Sequence, residues 1–306
     1  MGTGNRWAHC TPEFHALSYC FAVRSDDEEL ARRAQAVFAG LRTRARGTPG
    51  PAEAGVRRRC WYSVRTAGDG AVDVWRDEAV LAACGHPDEA ISWIVWDVNR
   101  SAADTSGDHL LFHAGALESD AGGVLVPGAS GVGKSTLTAG LVRAGLGYLS
   151  DELVALDLSS GRLLPYAKPI TLKAGSFGVL SDMRPPWDRA PEWQVAVGPD
   201  SGLAVGRPCT PSLVVVPRYV AGADTTVVAL SATEAFLTLA LNAVNLVQHG
   251  AAGTDALGAA AARCTCVLLT TSDLDAACRI VLALLEQRAA GAGAVGAGVA
   301  TVFVEE

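Results

Sequence analysis

The chain has 306 residues, enough for one large domain or two modest ones. It is 49% apolar and 19% charged, the balance of a folded globular chain, which argues against disorder. A net charge of −7 with no long basic run argues against nucleic acid as a partner, and no run of about twenty apolar residues exists to span a membrane.

Residues 1–100 read as an N-terminal α+β region. Within it, residues 25–42 predict a helix: Ser25 with Glu28 makes a capping box, and Leu30, Ala34, Val37 and Leu41 share one face. Residues 43–55, rich in Arg, Gly and Pro, read as an exposed loop, and Arg57-Arg58-Arg59 as a solvated cluster. Strands at 60–65 and 72–76 flank a turn at Gly68-Asp69-Gly70. Residues 87–100 predict a second helix. Ile91, Ile94, Val95 and Val98 point inward, and Trp93 and Trp96 belong to a core or an interface.

Residues 101–288 read as a second domain. A strand at 110–118 turns back at 119–123 into the apolar run Val124-Leu125-Val126. Next comes Gly128-Ala129-Ser130-Gly131-Val132-Gly133-Lys134-Ser135-Thr136: Gly, four residues, then Gly-Lys-Ser. That is a complete phosphate-binding loop. Its glycines allow a tight turn whose N–H groups point at phosphate oxygens. Lys134 adds a charge for the β- and γ-phosphates, and the Ser135 hydroxyl can ligate Mg²⁺. A helix over 135–144, with Leu137, Leu141 and Val142 on one side, adds its N-terminal dipole. The expected ligand is ATP or GTP.

Acidic residues follow at Asp151 and Glu152, ahead of the apolar Leu153-Val154-Ala155-Leu156. At a strand lip beside a phosphate loop, one carboxylate can hold Mg²⁺ and one can accept the proton of an attacking hydroxyl. His113 lies in the strand upstream, and the hairpin carries it back alongside the loop. Lys168 and Lys173 are candidates to neutralise charge on a transferred phosphoryl group. Lys173 is the better one, since it sits at a strand end near a turn. Arg207 and Arg218 are weaker candidates of the same kind. The proline-rich stretch 184–191, with Trp187, reads as a lid, a docking segment or a plain surface loop.

Strands at 153–158 and 163–166 form another hairpin, and strands at 212–216 and 226–230 follow. Helices are expected at 233–248, behind a Ser231/Glu234 capping box, and at 273–286. Hairpins among alternating strands and helices predict a mixed sheet. Residues 289–306 read as an Ala/Gly-rich tail. The eight cysteines are scattered without a C-x-x-C pair, which argues against a zinc or redox site. With no apolar signal core at the N-terminus and a nucleotide loop, the expected location is cytoplasmic.

His113, the 128–136 loop and Tyr148-Leu149-Ser150-Asp151-Glu152, in that order, resemble the catalytic domain of HPr serine kinase/phosphorylase. The likeness is nearer to the HPr-kinase-like proteins of bacterial biosynthetic gene clusters, some of which phosphorylate precursor peptides such as those of lasso peptides. It covers residues 90–285. The fold class it implies is α/β: a P-loop kinase domain of the HPr kinase/phosphoenolpyruvate-carboxykinase type with a mixed sheet, beside the small N-terminal α+β region. It implies ATP and Mg²⁺, a peptide or small-protein substrate, and a homo-oligomer. Asp151 matches the family's general base, His113 its histidine near the phosphates, and Glu152 the position of a second Asp. The glycine-rich signature peptide of true HPr kinases has no clear counterpart, so HPr regulation and phosphorolysis are not carried over. A small-molecule kinase and a nucleotide-dependent regulator without phosphotransfer are the alternatives.

Overall fold

The computed structural model describes residues 7–42, 59–67, 70–187 and 189–291. Its contacts divide the chain into two units, one drawing on Met1–Ser106 and Tyr166–Leu203, the other on Gly107–Pro165 and Ala204–Glu306. The stretch 166–203, which the sequence reading assigns to the second domain, thus packs with the first unit.

The first unit begins with β1 (His9–Cys10), β2 (Phe14–Ala16) and β3 (Tyr19–Ser25). After α1 (Glu28–Val37) come β4 (Cys60–Thr66), β5 (Val72–Arg76), β6 (Ala79–Cys84) and α2 (Pro87–Thr105). The sheet runs β1-β3-β4-β5-β6, with β2 hydrogen-bonded to β3. Phe14, Phe21, Phe38 and Tyr62 bury their rings against one another at centroid separations of 5.2–5.6 Å. The capping box expected at Ser25 is not there. Ser25 ends β3, buried, and Asp27 caps α1 by accepting from the Leu30 N–H at 3.0 Å. Aspartate competes well for that position, and the strand had already claimed the serine. The inward face of α2 is as expected, but Trp93 and Trp96 are 43% and 54% exposed, edge to face with each other, and outside the core. The turn residues 68 and 69 and the whole of 43–58 lie outside the described residues, as do Asp188 and the tail from 292.

In the second unit β7 (Leu110–Ser119) and β8 (Gly122–Pro127) form a hairpin, followed by α3 (Lys134–Arg143), β9 (Gly147–Ser150), β10 (Leu153–Asp157) and β11 (Arg162–Leu164). The chain then returns to the first unit for β12 (Ile170–Leu172), the single turn α4 (Ala174–Phe177) and β13 (Trp193–Val195), a two-stranded pair. The second unit is completed by β14 (Pro211–Tyr219), β15 (Thr226–Ala229), α5 (Ala232–Leu241), α6 (Leu246–Arg263), β16 (Thr265–Thr271) and α7 (Leu274–Ala290). Its strands run β11-β10-β7-β8-β14-β16-β15, with β9 also on β7. β14 is parallel to β8 and to β16, and the other pairs are antiparallel. The fold class is therefore mixed α/β, with seven α-helices and mixed sheets among the described residues. No described helix is long and apolar enough to cross a membrane.

The helix expected over 233–248 is two helices. The Ser231/Glu234 capping box is present, but α5 stops at Leu241. Residues 242–245 instead bond to β7: the His113 N–H donates to Asn242 O at 2.8 Å and the Val244 N–H to Leu111 O at 2.7 Å. The buried Asn245 amide seals the junction. Its Oδ1 accepts from the Leu111 N–H and its Nδ2 donates to His109 O, both at 2.9 Å. These bonds satisfy β7 groups that no strand reaches, and that outweighs continuing the helix.

β9 is clamped by the segment after 203. The Tyr148 N–H donates to Ala204 O at 2.9 Å, and the Gly206 N–H returns a bond to Tyr148 O at 2.8 Å. The approach is close enough that a methyl group at Gly147 would lie 2.7 Å from Gly206 Cα. Gly147→Ala must displace backbone, at a cost of about 1–3 kcal/mol. A thermal melt should show a lowered midpoint with unchanged far-ultraviolet dichroism at 20–25 °C (roughly room temperature).

Candidate active site

The loop grows directly from the end of β8. Gly128, Gly131 and Gly133 have φ of +154°, +87° and +99°, values that glycine alone adopts without strain. A Cβ at Gly128 would press on Val132 Cγ2 at 2.8 Å. Gly133 occupies the cap position of α3 and offers no side chain to its first N–H groups. Those groups are the usual binding site for an anion. Lys134 opens the helix at 6% exposure, and its Nζ donates to Ala129 O at 2.9 Å. The ammonium is therefore folded back over the loop, while Ala129, Ser130 and Gly131 are exposed and Ser135 and Thr136 half-buried. A left-handed glycine cradle, an uncapped helix start and a buried cation together fit a phosphate chain.

Strand pairing brings the other candidates to the same edge of the sheet. β7 pairs with β8 so that Ala114 faces Pro127, the last residue before the loop. β10 pairs with β7 so that Leu153 faces His113, and the Ala114 N–H donates to Glu152 O at 3.1 Å. Asp151 and Glu152 thus arrive beside His113 and the loop. Asp151 is 1% exposed, and its Oδ1 accepts from the Tyr148 hydroxyl at 2.7 Å. Glu152 is half-buried.

His113 records this neighbourhood electrically. Its pKa lies below the ordinary histidine value, first because burial disfavours the cation and second because the Lys134 charge repels a proton. The Glu152 and Asp151 charges and a ring hydrogen bond to the Glu152 backbone pull the other way without reversing the direction. His113, Lys134, Asp151 and Glu152 therefore form one electrostatic group, and His113 is its neutral member at pH 7.

The remaining sequence candidates are described by their own partners. Lys173 and Lys168 belong to the first unit. Lys173 follows β12, is largely exposed, and pairs with Glu192 at 3.6 Å. Lys168 is buried and donates to Pro169 O at 3.1 Å. In the second unit Arg207 pairs with Glu118 at 3.0 Å, and the exposed Arg218 donates to Thr270 Oγ1 at 3.1 Å. Two residues at the site escaped the sequence reading. Tyr148 was inside the motif, and a buried tyrosine hydroxyl needs a partner, which pointed to a polar neighbour. Tyr219 ends β14, the parallel neighbour of β8. It is 60% exposed, with its Cβ 4.0 Å from where a Cβ on Gly133 would be. Its proximity follows from the crossover between β8 and β14, which leaves no local signal.

The sequence matches no protein-family model, and no curated protein is significantly similar to it.

The His113 pKa gives a direct test. Lys134→Met removes the repelling charge, so the imidazole pKa should rise, as read by NMR titration. The sign for stability follows from the same shift. The folded pKa lies below the unfolded one, so the unfolded chain binds more protons and stability falls as pH drops below about 6.5. His113→Gln should flatten that part of the pH–stability curve.

Proposed function

We propose that the chain is an ATP-dependent kinase of the HPr-kinase-like P-loop type, which passes the γ-phosphoryl group to a serine-type hydroxyl on a peptide or small protein. The observation that carries this reading is the single sheet edge that holds a glycine cradle, a buried lysine and a paired Asp151/Glu152 around His113. A bare anion site would need the cradle and the lysine. The carboxylates have no use in holding phosphate, which they repel, but a proton acceptor and a metal ligand are what phosphoryl transfer requires.

In this reading the loop N–H groups and Lys134 hold the phosphates in line with the acceptor. Ser135 and Glu152 would hold Mg²⁺, which neutralises charge on the β- and γ-oxygens when bound. Asp151 takes the hydroxyl proton as that oxygen bonds to the γ-phosphorus. The bond from the γ-phosphorus to the bridging oxygen breaks, and ADP leaves. Tyr148 holds one oxygen of Asp151 and so sets which way the other faces. His113, being neutral, can donate to a phosphate oxygen without adding a second cation beside Lys134. The cytoplasm and a homo-oligomer belong to the same reading. The second of these rests on the family resemblance, and sedimentation velocity measures it.

Labelled ATP with candidate acceptors tests the assignment. Label on a peptide is expected. Label on a metabolite alone would make this a small-molecule kinase, and free phosphate alone a nucleotide-dependent regulator. Asp151→Asn should keep nucleotide affinity within about twofold and lose about 10²–10⁴ in transfer rate. Wild-type turnover in that variant would end the base assignment. Lys134→Ala should silence every outcome.

A further inference from the structure

The N-terminal sheet carries a second group of reactive side chains. Alternation along β2 sends Phe14 and Ala16 into the core and leaves Glu13 and His15 on the opposite face. β2 and β3 form a hairpin in which His15 stands directly across from Cys20. The turn has only two residues, Leu17 and Ser18, and Leu17 is held at a φ of 54°. A leucine rarely adopts that conformation, and here its surroundings impose it: its side chain is buried, and the Ser18 N–H donates to Ser106 Oγ at 3.1 Å. So short a turn leaves the hairpin one register.

The three side chains converge. Cys20 Sγ lies 3.3 Å from His15 Nδ1, and Glu13 Oε1 lies 3.6 Å from His15 Nε2. One donor atom from each lies within 4.8 Å of the others. Arg59, just before β4, donates its Nε to Glu13 Oε2 at 2.6 Å and thereby fixes the carboxylate with Oε1 on the histidine side. We propose that Glu13, His15 and Cys20 are a three-ligand site for a zinc-class divalent cation, with water in the fourth position. Bond lengths of about 2.3 Å to sulfur and 2.0–2.1 Å to nitrogen put a tetrahedral S···N edge at about 3.5 Å, close to the separation already present. Glu13 faces Nε2 while Cys20 faces Nδ1, so with Nδ1 as the ligand the carboxylate must turn toward that side of the ring to complete the set. A thiolate, an imidazole and a carboxylate select such an ion over Mg²⁺ and Ca²⁺, which take oxygen alone. The scattered cysteines had argued against zinc because no C-x-x-C exists. Here cross-strand pairing supplies what local spacing does not.

Binding breaks the Cys20 S–H bond and forms a sulfur–metal bond, with the proton passing to solvent, so affinity weakens as pH falls. The competing use of the same geometry is a thiolate–imidazolium pair that acts as a nucleophile without metal. The full chain, stripped with chelator and titrated with Co²⁺, should develop a thiolate-to-cobalt charge-transfer band that saturates at about one equivalent and is displaced by Zn²⁺. Zn²⁺ should also raise the melting midpoint. Cys20→Ser should abolish the band. Cys20→Ser and His15→Ala should each weaken zinc by at least about 10-fold, while Cys278→Ser leaves it intact. Should Cys20→Ser fail to fold, zinc must protect Cys20 of the unaltered chain from alkylation, mapped by peptide mass. No cobalt band above the Cys20→Ser baseline overturns the proposal. So does Cys20 alkylation that is rapid and indifferent to zinc, which is the signature of the metal-free pair.

Discussion

The site depends on β7, the strand along which the ladders to β10 and β8 meet, with β9 paired further along it. Its residues 110–113 hydrogen-bond to β10, and residues 114–119 to β8. His113 stands where the two ladders meet, so one register sets its distance to the loop and to the acidic pair at once. That register is held by burial. Leu110, Phe112, Ala114 and Ala116 face one core with Leu125, Val154 and Leu156, and a slip by one residue would move the whole row to the opposite face, where Leu111, His113 and Leu117 now sit. The chemistry-bearing face of β7 is therefore fixed by the apolar face behind it.

Charge is managed on that edge by removing a proton from one partner. A buried lysine and a buried aspartate each cost solvation unless they are compensated. A cationic histidine between them would add a like charge beside Lys134. Burial and repulsion keep His113 neutral instead, and it serves as a dipole that can accept or donate. The Tyr148 hydroxyl satisfies one Asp151 oxygen in the same economical way, with a neutral donor.

What the sequence disclosed was local. Glycines at left-handed positions, a strand before them and a 3.6-residue period after them specify the loop and α3 without reference to anything distant. Pro87 at the first turn and the Ser231/Glu234 box mark α2 and α5 for the same reason. The hairpin argument that brought His113 back to the loop also needed only neighbouring strands. Where two local signals competed, the nearer reading failed: Ser25 resembled a cap, yet Asp27 was one and Ser25 was strand. Where the deciding contact came from far along the chain, no pattern announced it. Residues 166–203 looked continuous with what precedes them and pack elsewhere. Residues 233–248 looked like one helix because nothing nearby reveals that β7 lacks a partner there. The Glu13, His15 and Cys20 group escaped because β2 is only three residues long and its donors meet only once β2 and β3 pair.

The carboxamide of Asn245 makes a demand that few other residues can meet. It offers one acceptor to the Leu111 amide and one donor to the His109 carbonyl, in a place too buried for water to substitute readily. Aspartate has the shape but no N–H, and leucine has the volume but neither group. Glutamine carries both on an arm one carbon too long. A saturation library scored for folding should thus find this position as unforgiving as a glycine of the loop. Intolerance there would report on how a strand end is finished, and a search for ligand contacts guided by intolerance alone would be misled by it.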